Sequence, residues 1–272
     1  MRTLRLYRHG VTMATIRETS PVSPPRTEVR GWSLSATRRN VAFLRSVDER
    51  RLHVPFVRGY AVTLTVRDCP PAAADWTRLR NAYFWRLRRA GLVRIHWVTE
   101  WQRRGIPHLH AAVWMPEDRA GDLLTAWLQV AAPYGAGPLG QHLSPITDLV
   151  GWLQYVAKHA ARGVAHYQRA ADGIPPAWRN RTGRIWGYGG DWPRVPPAEL
   201  DLTDAAFWRL RRLIRSRELA AARRRPPSQR AGAILQARGM LRCPDRNLSA
   251  VRGLSKWCPE DLTMRLVAAA FS

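Results

Sequence analysis

Two histidines separated by one residue, His108 and His110, open the run His-Leu-His-Ala-Ala-Val-Trp, whose apolar character suits a β-strand. Side chains at i and i+2 leave a strand from the same face, so both imidazoles can converge on one atom above a sheet. Glu100 lies eight residues upstream in a second apolar run, and a basic Gly/Pro turn, Gln-Arg-Arg-Gly-Ile-Pro, separates the two. A hairpin over this stretch brings the carboxylate to face the histidines. Two neutral nitrogens and one anionic oxygen leave open positions on a divalent ion, which suits Mg²⁺ or Mn²⁺ holding a phosphate and also Zn²⁺. With 8 His in the chain a His-x-His arises readily by chance, and a solvated Glu100 beside Arg103 and Arg104 is the bland alternative. The combination on one hairpin lifts the pattern above either part.

Tyr155 and Lys158 stand at i and i+3 in Asp-Leu-Val-Gly-Trp-Leu-Gln-Tyr-Val-Ala-Lys, a helical pattern capped by Asp148, and so share a helix face. A phenol titrates near 10, so attack by tyrosine on phosphorus needs a neighbouring cation and a polarised phosphodiester. Lys158 supplies the cation. The chain uses arginine almost throughout, and Lys158 and Lys256 are its only lysines, which marks the pair. The alternative is a packing aromatic beside Trp152 with a lysine reaching solvent.

Several elements must position these groups. Tyr60 to Val66 is β-branched and reads as a strand, and Asp75 starts an amphipathic helix with Trp76, Leu79, Tyr83 and Leu87 on one face and Gly91 after its end. The hairpin follows, then a helix from about Glu117 to Ala131, a Gly-rich loop, a short strand containing His142, and the helix from Asp148 closed by Gly163. Strands that return as a hairpin predict an α+β fold, an antiparallel central sheet with helices packed on it, of ferredoxin-like kind. Ahead of this, a Ser/Thr start opens a short basic helix with Arg38 and Arg39 in its first turns and Val41, Leu44 and Val47 on its apolar side. The expected organisation is a flexible arm over 1–30, the α+β domain over 31–197, and a basic helical C-terminal extension over 198–272 that begins with a long helix from Ala198 to about Arg225.

The charge balance names the kind of partner. Lys+Arg 44 against Asp+Glu 20 in 272 residues gives a net charge of +24, which calls for a polyanion. Hydrophobic content of 46% with 13 Trp excludes a disordered basic tail. No apolar run approaches the roughly 18 residues of a membrane span, so no membrane association is expected. The N-terminus lacks an apolar h-region, and Cys69, Cys243 and Cys258 form neither a disulfide framework nor a zinc knuckle. Both facts suit a reducing cytoplasm.

Together these residues resemble the HUH endonucleases, in particular the rolling-circle replication initiators of single-stranded DNA phages and plasmids. Tyr-Ala-Val-Thr-Leu-Thr-Val is similar to their first motif, His-Leu-His with its upstream Glu to the second, and Tyr-Val-Ala-Lys to the third, in family order; Trp-Ser-Leu-Ser-Ala-Thr-Arg-Arg-Asn and Gly-Arg-Ile-Trp-Gly-Tyr-Gly-Gly resemble the flanks. The resemblance covers roughly Gly31 to Pro193 and carries with it an HUH, RRM-like core. It implies a metal-dependent nuclease, with Mg²⁺ or Mn²⁺ at Glu100, His108 and His110, that nicks one strand of origin DNA, stays on the 5′ end through Tyr155 assisted by Lys158, and frees a 3′-OH primer. Two-tyrosine relatives carry a second tyrosine where this chain has His159, so strand closure falls to another subunit, to a second cycle, or to a different mechanism. No Gly-x-x-x-x-Gly-Lys-Ser/Thr occurs in these residues, so unwinding is expected from a host helicase.

A relaxase or transposase of the same chemistry, and an inert DNA-binding protein, are the competing readings. Arg38, Arg39, Arg103, Arg104, Arg209, Arg212 and Arg215 are the expected DNA contacts, with Arg211, Arg217 and Arg223 to Arg225 in the same arginine row, against the alternative of a merely solvated face. Trp97, Trp101, Trp178, Trp186 and Trp192 either stack unpaired bases or fill the core.

Overall fold

In the computed structural model, residues 2–15, 30–153, 167–239 and 254–272 are described. The chain divides into two compact units, Pro25–Arg194 and a second in which Met1–Pro24 joins Val195–Ser272. In chain order the elements are β1 (Arg2–Tyr7), β2 (Gly10–Thr15), α1 (Leu34–Ser46), β3 (Val57–Thr65), α2 (Ala73–Arg89), β4 (Arg94–Trp101), β5 (Pro107–Pro116), α3 (Asp122–Ala131) and β6 (His142–Pro145). A helical stretch at 149–153, α4, follows. Then come β7 (Trp186–Gly190), β8 (Ala198–Leu202), α5 (Asp204–Arg223), α6 (Pro227–Gly239), β9 (Leu254–Lys256) and α7 (Glu260–Phe271).

The Pro25–Arg194 unit is built on a five-stranded sheet of order β6-β3-β5-β4-β7, antiparallel throughout. From β3 to β6 the connectivity is βαββαβ with the spatial order fourth, first, third, second, which is the ferredoxin-like arrangement. The α+β expectation holds, with β7 as a fifth strand beside β4. Alternation assigns the two sheet faces. Val62, Leu64, Leu109, Ala111, Val113, Ile95, Trp97 and Trp101 line one face and form a core with Trp76, Leu79, Tyr83 and Leu87 of α2 and Leu123 and Trp127 of α3. Polar tips of the large aromatics pin both helices: Trp76 Nε1 donates to Thr99 Oγ1 at 3.1 Å, Trp127 Nε1 to Thr65 O at 3.1 Å and Tyr83 Oη to Leu123 O at 3.1 Å. The opposite face carries Thr63, His96, Glu100, His108 and His110 and is partly covered by α1.

Local chemistry explains the element ends. Ser33 Oγ accepts from Ala36 N at 3.1 Å and starts α1, while Val41, Leu44 and Val47 turn inward. Helix α2 begins at Ala73, two residues before the expected Asp75; Asp75 sits in the first turn and its carboxylate accepts from Ala72 N at 3.0 Å. Gly91 stops the helix with φ 92°, where a side chain would also meet the Pro116 ring. Asp148 Oδ1 accepts from Gly151 N at 2.9 Å, the cap expected for α4.

The other unit corrects two expectations. Residues 2–15 are not a loose arm: β1 and β2 form a hairpin inside a four-stranded sheet of order β8-β1-β2-β9. The long helix expected from Ala198 starts only at Asp204, after β8, with Thr203 Oγ1 accepting from Ala206 N at 3.2 Å. This unit is thus α+β and not purely helical. Leu4, Val11 and Met13 pack with Leu202, Phe207, Leu210, Ile214 and Val267 in a core of their own. Leu4 is completely buried. Replacing Leu4 by Ala should therefore cost about 2–5 kcal/mol of this unit's stability, read as a lowered urea midpoint; an unchanged midpoint would mean the hairpin adds nothing to the core.

Candidate metal centre

The pairing of β4 with β5 sets the site. Glu100 stands directly opposite His108, and Val98 opposite His110, while on the other side of β5 Thr63 stands opposite His110. Directly opposed residues share a sheet face, so Glu100, His108, His110 and Thr63 converge. One ligand atom from each of Glu100, His108 and His110 lies within 4.8 Å of the others. The two imidazoles meet edge to face with centroids 4.5 Å apart, and His110 Nε2 is 3.7 Å from Glu100 Oε2. Thr63 Oγ1 lies 2.9 Å from His110 Nδ1, which holds the ring and leaves Nε2 toward the carboxylate. His108 Nδ1 is buried and has no hydrogen-bond partner among the described residues.

Electrostatics suits a cation. Burial alone would raise the Glu100 carboxyl, but the charge and hydrogen bond of Arg169 outweigh it and hold the group below the usual carboxylate range. Arg169 Nε donates to Glu100 Oε1 at 2.6 Å and Nη2 reaches the same oxygen at 2.5 Å. Burial, with His110 nearby, pushes His108 down to about 3, and His110 is lowered as well, chiefly by burial. An ionised carboxylate thus faces two neutral imidazoles, the protonation state in which all three can act as ligands. Beneath α1, burial and then Arg169 push His96 down to about 3; its Nε2 lies 2.8 Å from Asn40 Oδ1 and its ring stacks on Phe43.

The remaining expected residues divide. Tyr155 and Lys158, with His159 and Gly163, lie outside the described residues. Arg38 and Arg39 are exposed on α1, and Arg103 and Arg104 are exposed in the β4–β5 turn immediately beyond Glu100. Arg209, Arg212 and Arg215 are exposed on α5 in the other unit, but Arg211 leaves that row: it is buried over the rings of Phe207 and Trp208. Trp97, Trp101, Trp178 and Trp192 are core residues, and Trp186 is half-buried. His142 is exposed on β6 opposite Thr63. Sequence reasoning missed Thr63 and Arg169. The alternation of β3 carried a signal for the first, since Thr63 and Thr65 interrupt an apolar strand on one face; nothing distinguished Arg169 from the other arginines.

Residues 59–163, which contain the whole triad, match the family model of the replication-associated protein ORF2. The replication-associated protein of Pseudomonas phage Pf3 is 47% identical over 269 residues, 96% of this chain and 94% of that protein. The chain belongs to the replication-associated protein ORF2 family. A Xylella fastidiosa (strain 9a5c) protein provisionally named a replication protein is 45% identical over 98% of this chain and 96% of its own length. No solved structure matches this chain. Among the described residues of this ORF2 family member, no helix is long and apolar enough to cross a membrane.

The depressed histidines set an acid limit. A histidine whose folded value is about 3 stays neutral in the fold while the unfolded chain takes up a proton near 6.5. Its contribution is complete above about 6.5 and is lost as pH falls toward 3, at up to about 1.4 kcal/mol per pH unit for each group. Chemical denaturation in chelator should show stability falling between pH 7 and pH 5, and His96→Gln should flatten that slope; a slope unchanged in the variant would contradict the buried neutral state of His96.

Proposed function

We propose that this protein initiates rolling-circle replication by nicking one strand of its origin DNA. The carrying observation is the convergence of Glu100, His108 and His110 within the segment that matches a replication-associated family. The donor set fits a divalent cation with oxygen-rich open positions: one carboxylate, held ionised by Arg169, and two neutral imidazoles, with a buried His108 nitrogen that lacks a hydrogen-bond partner among the described residues. Bound there, Mg²⁺ or Mn²⁺ supplies Lewis-acid polarisation of the scissile phosphate.

In this reading the chain's own groups perform the transfer. The Tyr155 oxygen attacks phosphorus and gives up its proton, with the Lys158 ammonium stabilising the phenolate. The bond from phosphorus to the 3′ oxygen breaks, that oxygen takes up a proton as the 3′-OH primer, and the 5′ phosphate remains esterified to tyrosine. Arg103 and Arg104, beside the triad, and Arg38, Arg39, Arg209, Arg212 and Arg215 hold phosphates, with the salt dependence of counterion release. Closure of each round needs a second subunit or a second cycle, since His159 stands where a second tyrosine would be, and a host helicase supplies unwinding.

The test uses single-stranded oligonucleotides tiled across the replicon's own intergenic region, with Mn²⁺. The wild type should yield a covalent protein–DNA adduct, Tyr155→Phe should bind DNA normally and give none, Lys158→Arg should be slowed, and His108→Ala or His110→Ala should lose nicking while keeping most DNA affinity. Adduct formation by Tyr155→Phe would overturn the nucleophile, and Mn²⁺-dependent nicking by a His108→Ala/His110→Ala double variant would overturn the metal reading.

A further inference from the structure

We infer that Arg169 is the positioning residue of the metal centre: it holds Glu100 so that a single carboxylate oxygen faces the histidines. The inference rests on the metal reading above and adds a residue that no motif contains.

Arg169 is 2% exposed, a position that arginine occupies only when its charge is matched. Glu100 supplies a match through one oxygen. Both Nε, at 2.6 Å, and Nη2, at 2.5 Å, reach Glu100 Oε1, while Oε2 is the oxygen 3.7 Å from His110 Nε2. A carboxylate free to rotate offers a cation either oxygen or both. With Oε1 engaged by the guanidinium, Glu100 presents Oε2 alone, and the cation keeps more open positions for phosphate oxygens.

The guanidinium is itself held in place. It lies over the Trp32 ring at 4.1 Å, and Trp32 Nε1 donates to Thr99 O at 3.0 Å, next to Glu100 in β4. One residue before Arg169, Gln168 O accepts from Trp101 N at 2.8 Å, next to Glu100 on the other side. Gln168 thus holds β4 on one side of the ligand, and Trp32, stacked under the guanidinium, holds it on the other.

Titration of the full chain with Mn²⁺ alone, followed calorimetrically, tests this. Arg169→Gln should weaken Mn²⁺ binding by about 10–100-fold, the usual cost of losing a partner behind a metal ligand. Arg169→Lys, which keeps the charge and loses the planar fork and the stack on Trp32, should fall between that variant and the wild type. A purely structural role is separated by thermal unfolding of the same variants: a variant that is destabilised yet keeps wild-type Mn²⁺ affinity would make Arg169 a structural residue only. If Arg169→Gln does not fold, Arg169→Lys decides. Wild-type affinity in a folded Arg169→Gln, or in Arg169→Lys where only that variant folds, would overturn the inference. Absence of Mn²⁺ binding by the wild-type chain would instead overturn the metal reading itself.

Discussion

The register between β4 and β5 is the constraint on which the rest depends. Glu100 opposes His108 across the hairpin, and Thr63 of β3 opposes His110. Side chains alternate faces with a period of two, so a slip of one residue would send the histidines into the apolar core and bring Leu109 to the surface. That core prevents the slip. Leu109, Ala111 and Val113 are buried against α2 and α3, and Trp76 and Trp127 tie those helices to Thr99, next to Glu100 in sequence, and to Thr65, opposite His108 across the sheet. The tight turn between the strands, with Gly105 at φ 74° and Gln102 N donating to Ile106 O at 2.8 Å, fixes the same register from its end.

Charge follows from this geometry. A carboxylate as buried as Glu100 would ordinarily hold its proton, and the guanidinium of Arg169 reverses that preference. The same burial keeps the histidines neutral. One layer of the sheet therefore carries an anionic oxygen and two nitrogen lone pairs in a chain whose net charge is +24. The result is a donor set suited to a cation in a chain whose net charge suits a polyanion. The exposed Arg103 and Arg104, in the turn just beyond Glu100, put these two properties within a few residues of each other.

How much of this was legible in the sequence depended on how local the governing interactions are. The hairpin, the strand at Tyr60 to Val66, the face of α2 and the cap at Asp148 follow from patterns within some fifteen residues, and the structure contains them. The same is true of the Glu100, His108 and His110 cluster, because i, i+2 spacing and a short turn determine it. The N-terminal hairpin was not legible: Leu4 is buried by β8 and α5, about two hundred residues away in sequence, and a Ser/Pro-rich stretch beside it suggested an arm. Strand β8 was hidden likewise, since Ala-Glu-Leu-Asp-Leu reads equally well as the first turn of a helix. Arg169 and the buried Arg211 show the limit of reading charge by composition, because in an arginine-rich chain burial alone separates a positioning or packing arginine from a solvated one.

Whether Glu100, His108 and His110 hold one divalent ion is read most directly by pulsed electron paramagnetic resonance of Mn²⁺ bound to the full chain. The expected result is one ion per chain with two directly coupled imidazole nitrogens, and loss of one coupling in a His110→Ala variant that still binds the ion. A bound ion with no nitrogen coupling, or with couplings unchanged in that variant, would contradict it.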